Sequence, residues 1–155
     1  MDALSIVVAS VGLVSVCGKL SGHISWLTNK LQAQDKGLAA LNSEIGVLSE
    51  VLEDIGGSFC DPSIARLVFA AQTGEEEQLW RDVKQAMEEC KRMLEDLHRN
   101  LQPNQNPQRG GRTALIDVSP ENLSRSHHQV MAYRRTMENC QDIIKMYVRF
   151  RFSLT

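Results

Sequence analysis

The sequence lacks the residue patterns that most catalytic and metal-binding sites require. Its four cysteines are scattered and form no C-x-x-C pair, so neither a zinc site nor a thioredoxin-type motif is indicated. Five residues separate Gly12 from the next glycine before Lys19, and Leu20 follows, whereas a phosphate-binding loop has four and then a Ser or Thr. Glu95-x-x-His98 matches half of a di-iron motif, but no second copy exists. We therefore expect no enzyme activity, no catalytic residue, no metal and no cofactor.

Aromatic residues and net positive charge are also scarce. Aromatic side chains make up 5% of the chain, and the net charge is -2 with an isoelectric point near 6.1. A nucleic-acid-binding protein usually combines a basic surface with stacking aromatic side chains, so this function is disfavoured. The charges are nevertheless unevenly divided: residues 1–100 carry nine Lys and Arg against fifteen Asp and Glu, whereas residues 101–155 carry eight against four. The basic second part predicts either contact with an acidic surface, such as lipid, or packing against acidic helices of the same molecule.

Charged residues are absent between Asp2 and Lys19. Read as a helix, the segment from Ala3 to Cys17 would reach about 22 Å, which is short of the ~30 Å hydrocarbon core of a bilayer. It lacks the basic start and the small-residue cleavage site of a signal peptide, and Asp2 excludes N-myristoylation, which needs Gly at that position. The segment therefore predicts either a buried core helix or a membrane-active helix that does not span a bilayer as a monomer.

Small residues recur along this apolar segment. Ser5, Ala9 and Gly12 share one helical face, and Gly18 with Gly22 forms a small-xxx-small pair. This spacing predicts the close approach of a neighbouring helix, either inside a helical bundle or in a membrane oligomer.

Hydrophobic residues spaced three and four apart predict four long helices. The expected bounds are 3–33, 37–55, 75–101 and 120–148, with a short helix near 63–71 that begins at Asp61-Pro62 and a flexible loop over 102–118. Gly56-Gly57 is expected to end the second helix. Apolar residues alternate with polar ones from Val148 onward, and this period of two is typical of a strand. The predicted core positions are Leu20, Ile24, Leu27 and Leu31; Leu38, Leu41, Ile45, Leu48, Leu52 and Ile55; Leu79, Val83, Met87, Cys90, Leu94, Leu97 and Leu101; and Val130, Tyr133, Met137, Cys140, Ile144 and Tyr147.

The length and composition suit one domain. With 155 residues, 43% of them hydrophobic, the chain can bury a sizeable core, and the pattern predicts an all-α, up-and-down bundle of about four main helices plus a short one. Such a domain needs no disulfide bonds, so we expect reduced thiols in a cytoplasmic protein.

Four parts of the sequence together resemble a known family. They are Met1-Asp2-Ala3-Leu4-Ser5-Ile6, the run Ala9-Ser10-Val11-Gly12-Leu13, the helix from Leu38 to Ile55 and the helix centred on Cys90. The chain resembles the fungal N-terminal domain of STAND proteins, the HeLo-like group, over nearly its whole length and most strongly over residues 1–55. Ala3 stands where most members of that family have a proline.

The resemblance implies a function as well as a fold. It implies a non-enzymatic effector domain at the front of a longer fungal NOD-like (NLR) or ankyrin-type receptor, acting in programmed cell death and innate immunity. In that picture the domain oligomerises, and its N-terminal helix leaves the bundle and targets a membrane. The expected partners are further copies of itself, anionic lipids on activation and a receptor or signalling protein, with no nucleic acid. The expected location is the cytoplasm, with recruitment to a membrane in the active state.

Two sets of side chains are candidates for this activity. Cations near an anionic leaflet contribute about 1 kcal/mol each, so the late basic residues complement the apolar segment. The membrane-insertion candidates are Leu4, Ile6, Val7, Val8, Val11, Leu13, Val14 and Val16. The anionic-lipid candidates are Arg134, Arg135, Lys145, Arg149 and Arg151.

A second function from a different class fits the same residues. The apolar segment would then be permanent core, and the domain would be a soluble helical module for protein interaction or dimerisation. Burial of the apolar segment would favour this function as a description of the resting state without excluding a triggered release.

Overall fold

The computed structural model describes residues 3–31, 36–64, 66, 75–101 and 120–153. Four long helices make up most of them: α1 (Ala3–Leu31), α2 (Lys36–Ser58), α3 (Glu75–Asn100) and α4 (Pro120–Ser153). Within these ranges no residue is in a strand. The predicted all-α helical bundle is therefore confirmed, and each helix starts within one residue of its predicted position.

Two helices end later than predicted. Gly56 and Gly57 do not stop α2, which continues to Ser58; two i to i+3 backbone bonds, from the N–H groups of Phe59 and Cys60, then tighten the chain. The strand-like end of the chain is instead the last part of α4, which is helical to Ser153. The end of the chain is helical because it continues the helical spacing of the α4 core. Val148 lies four residues after the buried Ile144 and packs against the core, and this three-four spacing outweighs the short alternation of apolar and polar residues.

The four helices form a ring in which α1 packs on α2, α2 on α4, α4 on α3 and α3 on α1. Their directions alternate along the chain. Ser21 donates to Asn42 and Ser10 packs on Gly56, so α1 and α2 are antiparallel. Consecutive helices are not always neighbours, however, because α2 and α3 lie across the ring from each other.

The predicted core positions form one hydrophobic core. Every predicted position of α2 is buried, as are those of α3 and α4 except Leu79 and Tyr133, which are half-buried and pack against the core. The α1 positions Leu20, Ile24 and Leu27 are fully buried. The side chain of Leu31 lies outside the described part of the structure.

A short helical segment covers residues 62–64 and 66. Asp61 caps it as predicted, since the Ser63 N–H donates to Asp61 Oδ1 at 2.9 Å. The remainder of the predicted short helix at 63–71, and the predicted flexible loop at 102–118, lie outside the described residues.

Candidate functional site

The membrane-insertion candidates on α1 divide between the core and the surface. Ile6 and Leu13 are buried, whereas Val8 and Val11 are 62% and 63% exposed. The other described candidates, Val7, Val14 and Val16, are partly buried against the core. Leu4 lies in α1, but its side chain is outside the described part of the structure. One side of the apolar segment therefore packs in the core, and its other side is exposed on the surface.

One helical phase explains this division. The α1 core positions Leu20, Ile24 and Leu27 continue towards the N-terminus through Cys17, Leu13, Ser10 and Ile6, again with alternating steps of three and four. The three-four spacing is present in the sequence, but because nearly every residue of this run is apolar, the sequence does not show which of them are buried.

Ser10 occupies a core position because α2 comes unusually close there. A Cβ atom added to the buried Gly56 would lie 3.2 Å from the Ser10 Cβ, so larger side chains would push the helices apart. The Ser10 hydroxyl is buried and has no hydrogen-bond partner among the described residues. The close contact between α1 and α2 therefore uses Ser10 with Gly56, which the sequence pattern did not predict.

Of the predicted small-residue positions on α1, Ala9 packs against the core, but the three glycines do not mark a close contact with a neighbouring helix. Gly18 and Gly22 are exposed, and no described atom outside their own helix segment lies within 4 Å of a Cβ added at either position or at Gly12. With Val8 and Val11 they leave α1 an outer face of small and apolar residues.

The length of α1 corrects the expectation that the apolar segment is too short to span a bilayer. The helix continues past Lys19, and Ser5–Asn29 forms a 25-residue stretch that could cross a membrane by length and composition alone. At 1.5 Å per residue it would reach roughly 37 Å, against a hydrocarbon core of about 30 Å. Core helices of proteins that never enter a membrane pass the same test, so this property permits insertion without demonstrating it.

The anionic-lipid candidates on α4 also divide. Arg135, Lys145 and Arg149 are exposed. Arg134 instead donates from Nε to Glu44 of α2 and from Nη1 to Glu138, both at 2.8 Å. These hydrogen bonds raise its pKa, with the Glu138 bond the larger cause. Lipid binding by Arg134 would require both pairs to open.

Arg151 lies in α4, but its side chain is outside the described part of the structure. Three described cations of the predicted set therefore remain available on the surface in the folded bundle: Arg135, Lys145 and Arg149.

The early part of α1 and the late part of α4 lie at the same end of the bundle. Both segments contact the last turns of α2. Ser10 of α1 contacts Gly56, and Asp54 accepts a hydrogen bond from Gln141 of α4 at 3.4 Å. Because α1 and α4 are on opposite corners of the ring, the two candidate surfaces are separate patches at this end.

Aromatic side chains close this end of the core. The Trp80 ring contacts Phe59 edge to face at 5.8 Å between centroids and Tyr147 at 5.2 Å. Trp80 is buried, and no group in the described part of the chain forms a hydrogen bond with its Nε1. The hydrophobic pattern predicts Leu79 as the first α3 core position, but the core position is Trp80, where the strict three-four alternation through Val83 begins.

A histidine cluster lies at the opposite end of the bundle. His23 Nε2 is 3.0 Å from the Leu101 carbonyl oxygen, and the His23 ring stacks on Trp26 and contacts His98 edge on. Partial burial, then repulsion from His23 and Lys19, lowers the pKa of His98. Among the described residues, no group of three or more His, Cys, Asp or Glu side chains is arranged to hold a metal ion.

The buried thiols are expected to be unreactive. Burial raises the pKa of both Cys17 and Cys90 to about 12, so neither forms the thiolate that acts as a nucleophile. Cys60 is exposed.

A cleft of about 390 Å³ lies between the end of α3 and the start of α4. It has polar walls that include Asn100, Asn122, Ser126 and Gln129. These amide and hydroxyl groups supply hydrogen bonds but no arrangement of nucleophile and base.

Compared with known proteins, the chain matches no family model, no curated protein and no solved structure.

Proposed function

We propose that the protein is a non-enzymatic effector domain that oligomerises and then attaches to anionic membranes, with α1 as the inserting helix. The observation that carries the proposal is that α1 combines a span-length apolar sequence with an outer face of exposed valines. The resemblance to HeLo-like domains of fungal NOD-like and STAND proteins supports placing this activity in regulated cell death. The proposed resting state is the closed bundle, present in the cytoplasm.

The energetics of α1 require a trigger for this activity. Release would expose six buried core side chains, and at about 1.5–3 kcal/mol each the cost is roughly 10–20 kcal/mol. That cost is comparable to the whole stability of a typical domain, which is about 5–15 kcal/mol. Spontaneous release into water is therefore negligible, and oligomerisation with burial in lipid must offset the cost. The six side chains are Ile6, Leu13, Cys17, Leu20, Ile24 and Leu27.

The same burial favours a second candidate function. If α1 never leaves, the domain is a soluble helical module for protein interaction or dimerisation, and a receptor or signalling protein is its partner. The two functions differ in one physical step, the separation of α1 from α2.

A disulfide tether tests that step. Ser10→Cys with Gly56→Cys joins α1 to α2, because the relevant Cβ positions are 3.2 Å apart and disulfides need about 3.5–4.5 Å, a few tenths of an ångström more. Cys60→Ser is included because the exposed Cys60 Sγ lies 3.6 Å from the Gly56 carbonyl oxygen and would compete. Ser21→Cys with Asn42→Cys is a second tether, at the contact where Ser21 Oγ and Asn42 Oδ1 are 2.6 Å apart.

The readout is dye leakage from anionic vesicles by protein that is clustered through an added dimerisation domain. We expect the oxidised tethers to abolish leakage and reduction to restore it, while the Cys60→Ser protein leaks equally under both conditions. Equal leakage by oxidised and reduced tethers would refute insertion of α1. Absence of leakage from every form, including the clustered wild-type protein, would leave the soluble module as the function.

A further inference from the structure

The outer side of α4 carries an apolar stripe that the core does not use. Ile143, Met146 and Phe150 are 40%, 68% and 60% exposed, and their spacing of three and four places them on one side of the helix. The core-facing side of the same turns is complete without them, since Cys140, Ile144 and Tyr147 are buried there. Single exposed apolar residues are ordinary, but a continuous stripe on a helix that already has a buried seam indicates a second contact.

Cations flank this stripe. Lys145 and Arg149 are exposed, are four residues apart and therefore line one side of the stripe. After Glu138, which pairs with Arg134, Asp142 is the one acidic residue in the sequence of α4. The combination of exposed apolar side chains with adjacent cations is typical of helices that lie in the interface of an anionic bilayer.

We propose that this surface, the α4 docking face of Ile143, Lys145, Met146, Arg149 and Phe150, binds the headgroup region of anionic membranes while the bundle is still closed. The inference rests on the proposed function and adds a step before it: docking through α4 precedes release of α1. All five side chains of the docking face are already exposed in the closed bundle.

Charge selects lipid over a second copy of the chain as the occupant. A two-fold interface would set the docking face against itself and bring Lys145 and Arg149 of both copies together, where like charges repel. An anionic bilayer attracts the same cations. The docking face is also at the end of the bundle where Val8 and Val11 are exposed on α1, so docking holds that end near the membrane.

The oxidised Ser10→Cys/Gly56→Cys protein with Cys60→Ser provides the closed bundle for the test. Its flotation is measured with phosphatidylcholine vesicles that contain about 30 mole per cent phosphatidylserine and with vesicles of phosphatidylcholine alone. One variant, Met146→Ser with Phe150→Ser, removes apolar contacts, and another, Lys145→Gln with Arg149→Gln, removes charge. Their matched controls are Val47→Ser, an exposed apolar position on α2, and Lys36→Gln with Arg125→Gln, two exposed cations at the opposite end. Circular dichroism confirms that each variant is folded.

We expect the closed protein to float on anionic vesicles and not on neutral ones, with binding that weakens as salt rises from about 50 to about 300 mM. Each docking-face variant should lower binding roughly tenfold or more, whereas the controls should stay within about twofold. Loss of binding in the docking-face variants and their controls alike would overturn the inference, as would a closed protein that does not float. Docking of the closed protein without leakage by the clustered protein after reduction would refute the proposed function and keep the α4 docking face. Leakage by the clustered, reduced protein without closed-state docking would do the reverse.

Dimerisation through the apolar stripe is the alternative that would overturn the inference. If light scattering detects a closed-state dimer that Met146→Ser with Phe150→Ser dissociates, and vesicles bind neither form, the stripe is a contact between copies of the chain and the inference is wrong.

Discussion

At the residue scale, Ser10 and Gly56 set the closest contact between α1 and α2. Ser10 is small enough for the contact, but its buried hydroxyl has no partner within the described ranges, and a buried polar group without a partner costs about 1–3 kcal/mol in desolvation. Gly56 therefore provides space for Ser10 at a cost in local helix stability, because glycine is a poorer helix former than alanine.

The first prediction compares two glycines of α2. Gly46→Ala should stabilise the protein by about 0.5–1 kcal/mol, because alanine favours the helix and no described atom outside the local helix lies within 4 Å of the added Cβ. Gly56→Ala should be less stable than Gly46→Ala by about 1 kcal/mol or more, since its Cβ meets Ser10 at 3.2 Å. Chemical denaturation measures both, and Ser10→Gly should relieve the Gly56→Ala penalty. Equal free energies of unfolding for the two alanine variants would contradict the close contact.

His98 predicts a pH dependence at the same scale. Its pKa is lower in the folded protein than the ordinary value of 6.5, so the unfolded chain binds the proton more tightly. The stabilising contribution is therefore complete above pH 6.5 and decreases as the pH falls below that value. The free energy of unfolding of His98→Gln should fall less steeply than that of the wild type between about pH 6.5 and pH 5. A His98→Gln slope identical to the wild-type slope would contradict the assignment.

At the scale of the element, every long helix has a seam of buried residues, but α1 and α4 also carry apolar side chains outward. On α2 the two environments stand side by side: Leu48 is fully buried, and its neighbour Val47 is 38% exposed. This pair shows that the side of the helix on which an aliphatic residue lies determines how much it contributes to the stability of the fold.

Replacing each of these two side chains by alanine tests this difference. Leu48→Ala should lower the free energy of unfolding by about 2–5 kcal/mol, through lost burial and the cavity left behind. Val47→Ala should change it by less than about 1 kcal/mol. Urea titration of the two variants measures the difference, and comparable losses would mean that the α2 seam is assigned to the wrong face.

At the scale of the whole molecule, the four cysteines report whether the bundle is closed. Cys17, Cys90 and Cys140 are buried, and burial raises the pKa of each thiol, whereas Cys60 is exposed. Cys17 on α1 and Cys90 on α3 are close enough to influence each other, so separation of α1 from the bundle uncovers both.

A thiol titration with an aromatic disulfide reagent tests this arrangement. One thiol per folded chain should react rapidly, Cys60→Ser should abolish that phase, and denaturant should make the remaining thiols reactive. Under the proposed function, clustering on anionic vesicles should also expose Cys90, whereas Cys17, at the middle of the inserted Ser5–Asn29 stretch, should stay unreactive in the hydrocarbon core. Rapid reaction of two or more thiols in the free protein would contradict a closed resting bundle.

The sequence alone determined the helices and nearly all of their buried seams. Spacing of three and four is a local, one-dimensional property, so Leu38 to Ile55 and Val83 to Leu101 could be assigned without knowledge of their neighbours. It also determined the two sets of candidate residues, because an uncharged run and a late excess of Arg and Lys are visible in composition. Even Trp80 follows from extending the α3 seam by one step, and Ser10 follows from extending the α1 seam by three steps, through Cys17 and Leu13.

Only the tertiary structure decided which candidates are available. Val8 and Ile6 are equally apolar in the sequence, but the packing of α2 and α3 on α1 buries one and leaves the other exposed. Arg134 and Arg135 are adjacent cations, but Glu44, ninety residues away in the chain, pairs with the first alone. The ring order and the contact of Ser10 with Gly56 likewise join residues that are distant in sequence. These features depend on how preformed helices pack in three dimensions, and a periodic pattern carries no information about which helix lies opposite which.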